Sequence, residues 1–167
     1  MEDNSRVRDL SELVNRHAAL LYRYAYRLSG SAAEAEDLTQ QAYLTAHRKL
    51  HQLRDPARAK GWLCAILRTT YLKGLRRRGG VPVVSFESLS EIEDVPPDEP
   101  PVDPQELQRA LDLLPEEFRT PVILYYFREF SYKEIARQMD VPVGTVMSRL
   151  ARAKTQLRRH LAVAAVR

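Results

Sequence analysis

The chain of 167 residues has one cysteine, Cys64, so no internal disulfide can brace it. Leu63, Ile66 and Leu67 surround that thiol on an apolar helical pattern, which predicts a buried structural side chain, not a reactive one. No apolar run approaches the roughly 20 residues that cross a bilayer. The first nine residues are charged and lack an apolar signal core. The expectation is a cytoplasmic protein without membrane insertion. Strand-like alternation and internal repeats are also missing. No Ser/His/Asp arrangement, phosphate loop or paired-carboxylate metal motif stands out, so neither catalysis nor a cofactor is expected. His47 and His51 stand four apart and could share a metal, but no Glu-x-x-His pattern or third ligand accompanies them, so no metal site is expected.

What is present is a soluble composition, 44% hydrophobic and 29% charged, able to build a core. At this length it suits one ordinary domain or two small ones. The net charge of +4 is unevenly spread. Residues 1–79 hold 15 Lys/Arg against 8 Asp/Glu, a net of +7; residues 80–104 hold 7 Asp/Glu and no Lys/Arg; residues 105–167 hold 11 against 7, a net of +4. Two basic modules flanking an acidic strip suit a polyanionic partner such as nucleic acid, although ordinary solvated surfaces would give the same totals.

The strip 80–104 contains six of the ten prolines: Pro82, Pro96, Pro97, Pro100, Pro101 and Pro104. Acidic, proline-rich composition predicts an extended linker, because proline lacks an amide donor and disfavours helix in the residue before it. Twenty-five such residues span at most about 80–90 Å, more than two turns of B-DNA at about 34 Å each.

Both flanking modules read as helical. Leu10, Leu13, Val14, His17, Leu20, Leu21 and Tyr24 recur at helical spacing over residues 10–28. Ser31 with Glu34 makes a capping-box pattern for a second helix ending near Leu50 or Leu53. Leu38, Ala42, Leu44 and Ala46 are among its small or apolar positions. Asp55-Pro56 marks a loop and a helix start, and residues 58–77 form a third helix, with Trp62 expected in its core. In the last module, Asp103-Pro104 caps a helix with Leu107, Ala110, Leu111 and Leu114 inward. PEEFRTPVILYYFREF forms another, with Pro121 removing one backbone bond and able to kink it.

SYKEIARQMDVPVGTVMSRLARAK then has the pattern of a helix-turn-helix. Ile135 and Ala136 point inward, Val141 fills the turn, and Val146, Leu150, Ala153 and Leu157 form one face of the second helix. Its opposite face carries Thr145, Ser148, Arg149, Arg152 and Gln156. Such a helix fits the major groove, about 12 Å wide, where arginine can donate twice to guanine or bind phosphate. No acid follows Asp140, while Arg149, Arg152, Lys154, Arg158, Arg159 and Arg167 do. A merely solvated outward face is the alternative.

GTVMSRLARAK resembles the −35 recognition helix of extracytoplasmic-function (ECF) sigma factors of the sigma-70 family, and LPEEFRTPVILYYFREFSYKEIA the segment before it. AEAEDLTQQAYLTAHRKL resembles that family's helix for binding core polymerase, and GWLCAILRTTYLKGLRRR its −10 region. The resemblance covers residues 10–79 and 105–160, nearly everything outside the linker.

It implies an all-α fold of two small helical domains. Residues 1–79 would be a region-2 bundle, 80–104 the linker, and 105–167 a region-4 helix-turn-helix. It implies a non-enzymatic sigma factor that binds bacterial core RNA polymerase, reads duplex −35 DNA and holds single-stranded −10 DNA. By matching position, Asp37, Leu38, Gln40 and Gln41 would dock on the polymerase. Arg54, Asp55, Arg58, Lys60, Arg68 and Thr69 would serve the −10 element; Thr145, Met147, Ser148, Arg149 and Arg152 would serve the −35 element. Members are often held by an anti-sigma factor, and apolar surface on both modules could serve one. The acidic strip is either a solvated tether or a segment threading the polymerase toward the RNA exit path.

The sequence departs from the family at Gln41, where many members have Glu, at Thr69 (usually Asn), at Lys73 (commonly Asp) and at Met147 (often Arg). These changes bear on the promoter sequence and the docking strength more than on the role. A solitary DNA-binding regulator would need a dimer interface or ligand pocket in the first module, where the docking pattern stands instead. A helix-turn-helix enzyme lacks a catalytic motif, and the basic recognition helix argues against a pure interaction protein.

Overall fold

The computed structural model describes residues 2–79 and 102–165, with side chains from 10 to 79 and 102 to 163. Most of the acidic strip therefore lies outside the described residues. The chain divides at Gly80 and Val81 into two compact units. Among the described residues there are seven α-helices and no strand.

The first unit is built from α1 (Glu2–Ser29), α2 (Ala32–Lys49) and α3 (Ala59–Arg77), each packed on the other two. Leu21, Tyr24, Ala25 and Leu28 of α1 recur at three- and four-residue steps and are completely buried. Leu10, Leu13, Val14, His17 and Leu20 continue that stripe but are only half-buried, at the edge of the bundle. Helix α2 presents Ala35, Leu38, Thr39, Ala42 and Ala46 to its neighbours. So many small side chains let the helix backbones approach closely. Leu63, Cys64, Ile66, Leu67 and Tyr71 of α3 complete the core, where each fully buried large side chain contributes about 1.5–3 kcal/mol. Cys64 is fully buried.

The turn before α2 differs from the sequence pattern. Ser31 does cap the helix, its Oγ accepting from the Glu34 amide at 3.4 Å. The Glu34 carboxylate does not return the contact. It takes the Arg78 guanidinium at 2.6 Å, while the Ser31 amide donates to Ser29 Oγ at 3.3 Å. Half of the capping box is made, because an arginine at the far end of α3 outcompetes a neutral backbone amide for the carboxylate. Gly30 turns the chain at φ 72°, a conformation side chains disfavour.

The second unit contains α4 (Pro104–Asp112), α5 (Glu116–Val122), α6 (Tyr132–Met139) and α7 (Val143–Ala165). Helices α4, α5 and α6 all pack on α7. Asp103 caps α4 by accepting from the Gln105 amide, with Pro104 at the first helical position. Ala110, Leu111 and Leu114 are buried as the spacing predicts, and Leu107 half-buried. Arg119 fixes the corner to α5 by donating to the Leu114 carbonyl at 2.8 Å and the Asp112 carbonyl at 3.0 Å.

The segment read as one helix after Pro115 is two pieces. Pro121 has no amide for the carbonyl one turn back, and directly after it Ile123–Phe127 widens into a π-helical turn. The turn stacks Tyr125 on Tyr132 of α6, ring centres 4.9 Å apart, with Tyr126 edge-on at the same distance. The chain then reverses through Glu129 at φ 57°, and the Phe130 amide donates back to the Leu124 carbonyl.

Candidate nucleic-acid interface

Helix α6 begins with a complete capping box. Ser131 Oγ accepts from the Glu134 amide at 3.2 Å, and the Ser131 amide donates to Glu134 Oε2 at 2.7 Å. It ends at Asp140, in the left-handed conformation at φ 53° and ψ 51°, where the Val141 amide reaches back to the Ala136 carbonyl at 3.1 Å. Asp tolerates that conformation better than most side chains. The resulting tight turn sets α7 against α6, with Ile135, Ala136, Met139, Val146, Leu150 and Ala153 buried between the helices of this unit. This is the helix-turn-helix hairpin expected from the sequence, with Val141 half-buried in its turn.

The exposed face of α7 is rotated slightly from the one read in the sequence. Met147, Ser148, Ala151 and Arg152 are exposed. Met147 keeps 53% of its surface in solvent, and Ser148 Oγ donates to the Thr145 carbonyl at 3.3 Å. Thr145 and Gln156 are half-buried on the flanks. Arg149 is also half-buried, and its Nη2 lies 3.9 Å from Oε2 of Glu117 on α5. Two residues escaped the sequence reading: Lys133 and Arg137, exposed on α6 and bordering an open cavity of about 550 Å³ at the turn. Their spacing of four on the first helix of the hairpin was the available signal.

In the first unit, the loop between α2 and α3 starts with a 3-10 turn at Leu50–Gln52 and closes with another at Pro56–Arg58. Asp55 organises it. One carboxylate oxygen accepts from the Ala57 amide at 3.0 Å, and the other lies 3.9 Å from Arg58 Nε. Arg54 and Arg58 are exposed. A cavity of about 250 Å³ opens between this loop and α1, walled by Glu12, Leu13, Arg16, Leu53 and Pro56 among others. Lys60 is half-buried near His17, whose imidazole is held below its usual range first by burial and then by the positive charges of Arg16 and Lys60. Arg68 is half-buried and Thr69 exposed, the Thr69 hydroxyl donating to the Ala65 carbonyl.

Helices α2 and α3 enclose a groove of about 700 Å³. Asp37, Leu38 and Gln41 line it from α2, and Thr69 and Lys73 from α3, so residues assigned to two partners share one depression. Gln40 is exposed but does not line it. Leu38 is only 9% exposed and serves mainly as core. One expectation changes here. Trp62 is half-buried and lines the groove instead of filling the core, which local spacing alone does not reveal. Leu44, 60% exposed, also lines it.

The sigma-70 region 2 family model matches residues 13–81, and the sigma-70 region 4 model matches residues 104–157. The ECF RNA polymerase sigma factor SigE of Mycolicibacterium smegmatis is 40% identical over 169 residues, covering 96% of this chain and 64% of its own length. SigM of Mycobacterium tuberculosis is 34% identical over 151 residues, covering 90% of this chain and 76% of its own length. The chain belongs to the ECF RNA polymerase sigma factors. It spans a little under two thirds of SigE.

The solved sigma factor RpoE of Bartonella quintana, captured with the anti-sigma factor NepR, matches with a TM-score of 0.75 and 28% identity over 93% of this chain and 98% of its own. CnrH, solved with the cytosolic domain of CnrY, shares the fold at a TM-score of 0.66 and 21% identity, covering 92% and 88%. In this sigma factor the helix-turn-helix hairpin falls within the region 4 match, and the α2–α3 groove within the region 2 match. No helix among the described residues is long and apolar enough to cross a membrane.

Proposed function

We propose that this sigma factor directs bacterial core RNA polymerase to promoters by reading the −35 element with its second unit and holding the opened −10 element with its first. The observation that carries this reading is the α6–α7 hairpin, whose second helix exposes Met147, Ser148 and Arg152 and whose first exposes Lys133 and Arg137. Phosphate contacts from such lysines and arginines position a protein on DNA, and base-edge contacts specify the sequence. Arg149 and Thr145 join from the flank.

Residues 1–79 act as region 2, 80–104 as the tether and 105–167 as region 4. In region 2, Asp37, Gln40 and Gln41 present acid and amide groups from α2 to the polymerase, with Leu38 fixing the helix beneath them. Arg54, Arg58, Lys60 and Arg68 supply charge for the −10 strand, Asp55 shapes the loop, and Thr69 offers its hydroxyl oxygen as an acceptor. The cavity beside that loop supports capture of an extruded base, which needs a pocket to offset the few kcal/mol of unstacking. The protein acts in the cytoplasm as a non-enzymatic subunit, and an anti-sigma factor is a further partner, as the captured relative suggests.

Co-elution with core polymerase tests the docking half. Wild-type protein is expected to co-elute, and Asp37→Lys with Gln41→Lys to elute free while remaining folded. Failure of the wild type to bind a compatible, active core would overturn the reading.

A further inference from the structure

We propose that Glu117 is a positioning residue that aims Arg149 for base reading and so helps to set which −35 sequence this factor accepts. The inference rests on the −35 reading given above and adds to it a residue outside the recognition helix.

Three observations carry it. First, Arg149 lies on the flank of α7, between the buried stripe of Val146, Leu150 and Ala153 and the exposed Ser148 and Arg152. Its side chain keeps 23% of its surface in solvent, with Nη2 3.9 Å from Glu117 Oε2. Second, α7 contains no acid of its own, so this negative charge comes from α5, which packs against it. Third, the two acids of the first turn of α5 are divided. Glu116 is buried and accepts the Thr120 hydroxyl at 2.7 Å, whereas Glu117 is exposed on the side of Arg149. An acid is favoured at that helix start, so the carboxylate has a local reason to stay there.

The consequence follows from guanidinium geometry. Arginine offers five donors in a rigid planar fork. At 3.9 Å the Glu117 carboxylate attracts the guanidinium without a hydrogen bond, so it leaves the donors available for a base edge while biasing the direction in which the side chain points. The same carboxylate repels phosphate, so it disfavours the sequence-independent contact that a free arginine makes equally well. Glu117 thereby trades affinity for selectivity.

The test uses the full chain with core polymerase on a promoter library randomised across the −35 element, scored by transcript abundance for each sequence. Wild type, Glu117→Gln, Glu117→Asp, Arg149→Ala and the Glu117→Gln/Arg149→Ala pair are compared, with thermal melts to confirm folding. At the position whose preference Arg149→Ala erases, Glu117→Gln is expected to lower the ratio of preferred to disfavoured base by about fivefold or more. Glu117→Asp is expected to retain part of it, and Glu117→Gln to add nothing in the Arg149→Ala background. A purely structural ion pair would lower the melting temperature and leave base preference alone; that result overturns the inference while the −35 reading stands. Equal flattening by Glu117→Gln with and without Arg149 also overturns it. A wild-type protein with no −35 preference removes the −35 reading and this inference together.

Discussion

Glu34 and Arg78 stand 44 residues apart in sequence and meet at 2.6 Å, tying the first turn of α2 to the end of α3. Arg78 is 62% exposed and Glu34 38%, so the pair is partly screened by solvent. Exposed pairs contribute about 0–1 kcal/mol, less in salt. Breaking this one also frees Glu34 to complete the capping box with the Ser31 amide. Arg78→Ala is therefore expected to change unfolding free energy by less than about 1 kcal/mol, and Glu34→Ala by slightly more because both roles are lost. Urea titrations of the two variants and their double mutant measure the difference.

Leu63 is completely buried where the three helices of the first unit meet. Leu63→Ala should cost about 2–5 kcal/mol, with the spread set by how far the cavity collapses. Chemical denaturation followed by tryptophan fluorescence reads this directly, because Trp62 is the sole tryptophan and adjoins the site.

The complete capping box of α6 makes Ser131 a stability determinant of the hairpin. Ser131→Ala is expected to cost about 1 kcal/mol, while Ser131→Asp retains most of it through the same acceptor geometry. Amide hydrogen exchange along α6 should accelerate in the first variant and stay near wild type in the second.

The His17 imidazole is held below its ordinary range, chiefly by burial and then by Arg16 and Lys60. The native imidazole is thus neutral where the unfolded one is protonated. This contribution to stability is fully present above the unfolded value and is lost as pH falls through the lowered folded value. Titration by NMR is expected to give a His17 midpoint below that of a free imidazole, and His17→Gln to reduce the loss of stability on acidification. A midpoint above the ordinary value would contradict the arrangement around Lys60.

Much of this was legible in the sequence where local pattern decides. The three- and four-residue apolar steps marked the inner faces of α4 and α7 and, at Leu21 and Tyr24, of α1; Asp103-Pro104 marked an α-helix start, and Asp55-Pro56 the 3-10 turn just before α3. Legibility failed where a distant group competes. Ser31-x-x-Glu34 reads as a reciprocal cap until Arg78 arrives from the end of α3. Arg149 reads as fully outward until α5 packs on α7 and brings Glu117 to 3.9 Å from its guanidinium. Trp62 reads as core until the packing of α2 on α3 leaves a groove along it. Pro121 announced a disturbance, but not its form, a π turn beginning two residues later that holds Tyr125 against Tyr132, a residue outside the segment. That stacked pair also shares a hydrogen bond, which raises the Tyr132 phenol above its usual range.

Promoter selection for RNA polymerase, the proposed role of this chain, is read out by transcription in vitro. Active core polymerase from a compatible source is supplied with genomic promoter fragments, with and without the protein. Transcripts with defined start sites are expected only when the protein is present, and are expected to be lost when Arg149→Ala and Arg152→Ala are combined. No protein-dependent transcripts, from a core that another sigma factor activates normally, would contradict it.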